Sequence, residues 1–205
     1  MIVFRTYATY PSLLLIAMLM GCSSSPPTRL YLIEPIIVPE NLTTETELTI
    51  AVGPIMLAQH LDRREVLSHD EPYRLMVAEF DRWAEPLEDN ITSVLTENLS
   101  TLLSTDRVID RRLDSRSVDY TVRVHVIALA AESNGAVSLK AAWTIDDQTK
   151  NPGVLHKNSY TERRGDGEVV ATVAAISRAI AQLSRDIADE INELSASSLA
   201  RAGAL

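Results

Sequence analysis

The sequence is short of the residues on which most enzyme and metal chemistry is built. It has one cysteine, four histidines, seven glycines and two phenylalanines in 205 residues. A lone cysteine excludes an internal disulfide, so the redox compartment cannot be read from pairing. His60, His69, His125 and His156 stand far apart, and no two have the spacing of metal ligands, which argues against a zinc site. No serine sits in a Gly-x-Ser-x-Gly frame. Gly165-Asp166-Gly167 precedes a helical run but lacks the loop length and the lysine of a phosphate-binding loop, so it reads as a turn. Glu85, Glu88 and Asp89 are sufficiently explained by their place at a helix start, where negative charge meets the positive end of the helix dipole. The sequence therefore assigns no catalytic residue, no metal ligand and no cofactor, and points away from an enzyme.

Positive charge is also scarce: 19 Lys and Arg stand against 28 Asp and Glu, a net charge of −9. Such a surface repels phosphate backbones and gains nothing from anionic headgroups by general attraction, so nucleic acid is excluded as a partner. What is plentiful is apolar material, 46% of the chain, enough for the core of one ordinary globular domain.

Residues 1–21 carry Arg5, then an apolar run from Leu13 to Met20, then Gly21, and the sole cysteine follows at Cys22. The run is too short to span a bilayer, and a small residue before a cysteine looks like a processing site. Leu19-Met20-Gly21-Cys22 resembles the lipobox of bacterial lipoproteins, which implies a signal peptide over 1–21 and lipid attachment at Cys22. The alternative is an incidental cysteine after an uncleaved anchor or an ordinary signal peptide. An anchor of more than one acyl chain holds a membrane stably, where one chain does not. Ser23, in place of the aspartate that retains lipoproteins at the inner membrane, favours the outer membrane by the same resemblance. Residues 22–28 form the lipidated cysteine and a short tether of at most about 20 Å, and 29–205 form the domain.

Within the domain, Leu30 to Val38 and Leu48 to Leu57 are rich in strand formers, and Gly53-Pro54 suggests a bulge or an edge in the second run. Leu61 to Leu67 is a charged approach to a short strand, and Ser68 to Pro72 is turn-like. Tyr73 to Phe80 is apolar on both alternating faces, which predicts a strand buried on both. Pro86 then starts a helix whose stripe runs Leu87, Ile91, Val94, Leu95, Leu99, Leu102, Leu103. Arg107 to Ile109 is a short strand candidate. Tyr120 to Ala130 alternates cleanly, Ser133-Asn134-Gly135 supplies hairpin chemistry, and the return strand buries Val137, Leu139, Ala141, Trp143 and Ile145. Val154 to Thr161 adds a third strand. A final helix carries apolar residues from Val169 to Leu194 at steps of three and four, and packing against its own sheet is favoured over a coiled coil. Ser195 to Leu205 has no stop signal and is expected to fray.

Val52-Gly53-Pro54-Ile55, Leu61-Asp62-Arg63, Arg82-Trp83-Ala84-Glu85-Pro86-Leu87 with Asn90, and Glu97-Asn98-Leu99 together resemble the PqiC family of ABC-type transport auxiliary lipoproteins. The likeness runs from the lipobox to the Ala175–Ser184 stretch, and Trp-Ala-Glu-Pro-Leu is its most specific piece. The resemblance implies a single α/β domain, a mixed β-sheet covered by helices, similar to the anticodon-binding-like fold of the TolB N-terminal domain. It also implies partnership with a PqiB-like MCE-domain protein that moves phospholipid between membranes, for which a homo-oligomeric ring would be fitting. Leu61, Asp62, Arg63 and Trp83 are then the candidate partner-binding or supporting residues. Two competing expectations come from other classes: a structural lipoprotein gripping the cell wall, which needs an ordered polar groove, and a lipid carrier, which needs an apolar cavity.

Overall fold

A computed structural model describes residues 26–35, 47–71, 73–114, 117–147, 153–165 and 169–202, with the side chains of 199, 201 and 202 outside the description. The signal segment, Cys22 and the first tether residues lie outside these. Among the described residues, eight strands and two helices follow one another: β1 (Arg29–Tyr31), β2 (Ile50–Leu57), β3 (Glu65–Glu71), β4 (Arg74–Trp83), α1 (Leu87–Leu102), β5 (Val108–Asp110), β6 (Tyr120–Ala131), β7 (Ala136–Asp147), β8 (His156–Arg163) and α2 (Val169–Ala202). This is the mixed α/β domain that the resemblance implied.

The long strand β6 organises the sheet. Along one edge it pairs antiparallel with β7, from Tyr120↔Asp147 to Ala131↔Val137, and β8 closes that side against β7. The other edge is shared by two strands. Parallel β2 takes it from Tyr120 to Val126, and β3 joins it only at Ser68↔Ala131. β5 lies outside β2, and the order on the other arm is β3, β4, β1. The sheet is therefore forked.

One face of the trunk is covered by the two helices. Val122, Val124 and Val126 alternate inward from β6, as do Leu139, Ala141, Trp143 and Ile145 from β7, while Arg123 and Lys140 face solvent. That is the alternation of a half-buried antiparallel pair. Ile176, Ile180, Leu183, Ile187 and Ile191 of α2 are all at most 2% exposed, and α2 packs on α1, β7 and β8. The stripe is spent inside the domain. α1 begins one residue beyond Pro86, which serves as its N-cap residue, and Ile91, Val94, Leu95 and Leu99 form its buried side.

Four expectations need correction. Ser68–Glu71 is strand rather than turn, because its backbone pairs with Arg74–Met76 across a tight reversal. β4 is not buried on both faces: Leu75, Met76 and Val77 are 38–47% exposed and Tyr73 is fully so. The reason is the fork. Past Ser68 the β3–β4 pair leaves β6 and runs on as a ribbon, so none of the described elements covers its apolar residues. The early apolar run forms only the short β1, with Leu32–Pro35 irregular and 36–38 outside the described residues. Finally, α2 continues through 195–202. Ser195, Ser197 and Ser198 each donate a hydroxyl to a carbonyl three residues back, which suits serine to a helix end. Gly53-Pro54 does mark a bulge, between Val52 and Ile55 in the β2–β6 register, but β2 is an inner strand and not an edge.

Candidate functional site

The corner where β4 hands over to α1 brings the singled-out residues together. Leu61 and Trp83 are 3% and 6% exposed. With Val66, Leu67, Leu87, Leu129 and Ile176 they line a void of about 10 Å³. That is a packed core with room for no lipid chain. Asp62 and Arg63 sit on the same loop and point to solvent. Backbone bonds hold the loop: Leu61 N–H donates to Ala58 (2.8 Å), Arg63 N–H to Leu61 (2.8 Å), and Trp83 N–H to Arg64 (2.7 Å). Arg63 pairs with Glu65 at 3.9 Å, and Arg82 reaches the same carboxylate at 3.8 Å. Leu61 and Trp83 thus support from beneath, while Asp62 and Arg63 form the accessible part.

Residues that the sequence reading had not singled out as a site pin this corner from behind. Arg29 donates to Asp81 from Nε at 2.6 Å and from Nη2 at 3.0 Å, and the Tyr31 hydroxyl donates to the same carboxylate at 2.9 Å. The Arg29 guanidinium, helped by Tyr31, holds the Asp81 carboxyl below the ordinary aspartate range against the opposing effect of burial. Asn90, on the first turn of α1, grips the backbone of Ile33. The Ser177 hydroxyl of α2 accepts from Glu34 N–H at 3.3 Å. In sequence, Asp81 is one of several acids around the end of an apolar run, and no local pattern marks it.

Further from the corner, Arg112 binds Asp110 at 2.9 Å and also Asp89, which ties β5 to the start of α1. The Arg112 bonds hold the Asp110 carboxyl below its usual range. Trp143 stacks on His156 with ring centres 4.1 Å apart. Tyr160 donates to Asp186 at 2.7 Å, and burial pushes its hydroxyl pKa well up. A groove of about 450 Å³ at the C-terminal end of α1 is lined by Glu47, Ser100, Thr101, Ser104, Thr105, Asp106 and Arg107. Its polar groups largely serve one another: Arg107 donates to the Glu47 carbonyl at 2.8 Å, and the Ser100 hydroxyl donates to the Thr105 carbonyl. A second cleft of about 150 Å³ lies beside Ile145, His156 and Glu190. Neither is the long apolar cavity that a lipid carrier needs.

Most of the core, the Leu61–Trp83 corner and the helix that follows it fall within residues 31–188, which match the family described as the ABC-type transport auxiliary lipoprotein component. The chain belongs to this family of transport auxiliary lipoproteins. Among solved structures, this auxiliary lipoprotein is similar to an uncharacterized protein at 19% identity and a TM-score of 0.67, covering 81% of this chain and 99% of the other. It is also similar to protein XCC0632 from Xanthomonas campestris, at 14% identity and a TM-score of 0.65, covering 78% of this chain and 92% of the other. At such identities the likeness establishes a shared fold. No curated protein matches the sequence. An auxiliary component of a transporter implies partners.

Proposed function

We propose that this lipoprotein is a non-enzymatic component of an MCE-type intermembrane lipid transport system, held by acylated Cys22 at the periplasmic face of the outer membrane. There it docks a PqiB-like MCE-domain protein. Asp62 and Arg63 make the contact; Leu61 and Trp83 hold the loop in place. The observation that carries the reading is the loop itself: two exposed residues of opposite charge on a segment whose backbone is held through the buried Leu61, bonded to Ala58 and Arg63, and the buried Trp83, bonded to Arg64. A loop so fixed loses little entropy on docking.

The test is in-cell photo-crosslinking from probes placed beside the pair, at the exposed His60 and Arg64, followed by mass spectrometry of the captured protein. Capture of an MCE-domain protein, lost on Asp62→Lys with Arg63→Glu, supports the assignment. Capture of wall-associated proteins alone from both positions would replace it with the structural lipoprotein reading, for which the polar groove at the end of α1 would be the binding candidate.

A further inference from the structure

Among the described residues, the outer half of the β3–β4 ribbon pairs with no further strand. Leu75 and Val77 project from one face of β4 and Met76 from the other, each 38–47% exposed, and Tyr73 stands wholly in solvent at the turn with φ +70°. The charges beside them are paired locally. Arg74 donates to Asp70 at 2.7 and 2.9 Å and lies 3.2 Å from Glu71. The single arginine is thus shared between two carboxylates, so the charges of the tip largely serve one another.

Strand polarity fixes where this tip points. β1 is parallel to β4, with Arg29 opposite Asp81. The chain ahead of Arg29 therefore leaves the sheet toward the Arg74 end of β4, which is the ribbon tip. Along β4, Asp81 lies seven residues from Arg74, about 23 Å of strand, and Cys22 lies seven residues before Arg29. The tether can thus reach about as far as the tip and little further. A membrane that held Cys22 would therefore be within reach of the exposed apolar side chains of the tip.

We propose that the tip of the β3–β4 ribbon, through Tyr73, Leu75, Met76 and Val77, enters the surface of the same phospholipid membrane that holds the N-terminal anchor. The inference rests on the reading of Cys22 as the lipid-bearing residue. Apolar groups on both faces of a narrow ribbon suit an occupant that surrounds the tip, as lipid does, better than a protein surface that would cover one face. Tyrosine is at home in the headgroup region, where its ring meets acyl chains and its hydroxyl stays wet. Two attachment points, anchor and ribbon, would fix the domain's orientation on the membrane where a flexible tether alone would leave it free to tumble.

The test uses the full mature chain, purified from membranes with its lipid confirmed by mass and reconstituted in phosphatidylethanolamine–phosphatidylcholine vesicles. The acylated Cys22 sulfur cannot react with a thiol probe. An NBD fluorophore can therefore be placed on a single new cysteine in the variants Tyr73→Cys, Met76→Cys and Val154→Cys. Val154 is 70% exposed and precedes β8 at the opposite end of the sheet, so it is the matched control. Brominated phospholipid is expected to quench the probe at 73 and 76 severalfold more than at 154. Equal, weak quenching at all three positions in mass-confirmed lipidated protein overturns the proposal and leaves the anchor reading intact. A chain without acyl mass on Cys22 overturns the anchor reading and this inference with it. A blue-shifted probe at 73 and 76 that lipid does not quench, and that depends on protein concentration, assigns the tip to a second copy of the chain and also overturns it.

Discussion

Asn90 holds Ile33 by both of its backbone polar groups: its side-chain oxygen accepts from the Ile33 N–H at 2.7 Å, and its side-chain nitrogen donates to the Ile33 carbonyl at 3.1 Å. Both residues are buried, at 5% and 2% exposure. An asparagine amide thus imitates one rung of a sheet ladder where the chain leaving β1 has no strand to pair with. Asn90→Ala leaves a buried donor and a buried acceptor unmet. The expected loss is about 2–4 kcal/mol, seen as a lower urea midpoint with an unchanged denaturant slope.

Asp81 gives the domain a defined acid sensitivity. Its folded-state pKa lies below the unfolded value of about 3.9 because Arg29 and Tyr31 bind the carboxylate. Its contribution is therefore fully present above the unfolded pKa and is lost as pH falls through the folded one. Asp81→Asn should be less stable than the parent at neutral pH, and the gap should narrow as pH drops below about 4. Urea unfolding of both proteins at stepped pH checks this, and a gap that stays constant would remove Asp81 from the account.

Gly53 sits at φ +118° in the bulge of β2, where a side chain is strained whatever the space, and a Cβ there would also lie 3.6 Å from Cβ of Arg111. Gly53→Ala should cost about 1–3 kcal/mol. Gly135, at φ +81° in the β6–β7 turn, has no neighbour within 4 Å of a built Cβ. Gly135→Asn, a residue that tolerates the left-handed region, should cost far less. Thermal unfolding of the two variants side by side compares them directly.

Trp83 and its exposed neighbours should separate cleanly. Trp83→Ala removes a buried indole from a closely packed corner and should destabilise by about 3–5 kcal/mol. Asp62→Lys with Arg63→Glu should stay within roughly 0.5 kcal/mol of the parent, since both residues are solvated and such pairs contribute little. On the proposed function, the second variant loses partner capture while its melting curve is unchanged.

Much of this fold was legible because its elements obey local periodicities. The β6–β7 hairpin announced itself by alternation and by Ser133-Asn134-Gly135, and the α2 stripe by its steps of three and four. The Leu61–Arg63 and Trp83–Leu87 motifs meet at one corner of the structure, although sequence alone did not separate buried residues from exposed ones there. The misreadings share a cause. Whether Leu75, Met76 and Val77 are covered depends on where β3 parts from β6, a contact between residues 63 positions apart. The Arg29–Asp81 and Asn90–Ile33 links span 52 and 57 positions. No local pattern encodes such distances. The finer likeness to the TolB domain came from the resemblance alone, and its strand order is a separate matter from the family membership reported above.

The parallel pairing of β1 with β4 has a mechanical side. A pull on the chain ahead of Arg29 runs along the strand axis, so the β1–β4 rungs and the Arg29–Asp81 pair bear the load together, in shear. An antiparallel β1 with its free end at the opposite edge would have been peeled one rung at a time. A three-residue strand at the rim of a sheet is a slight handle, yet placed in this direction it grips the domain along its own grain.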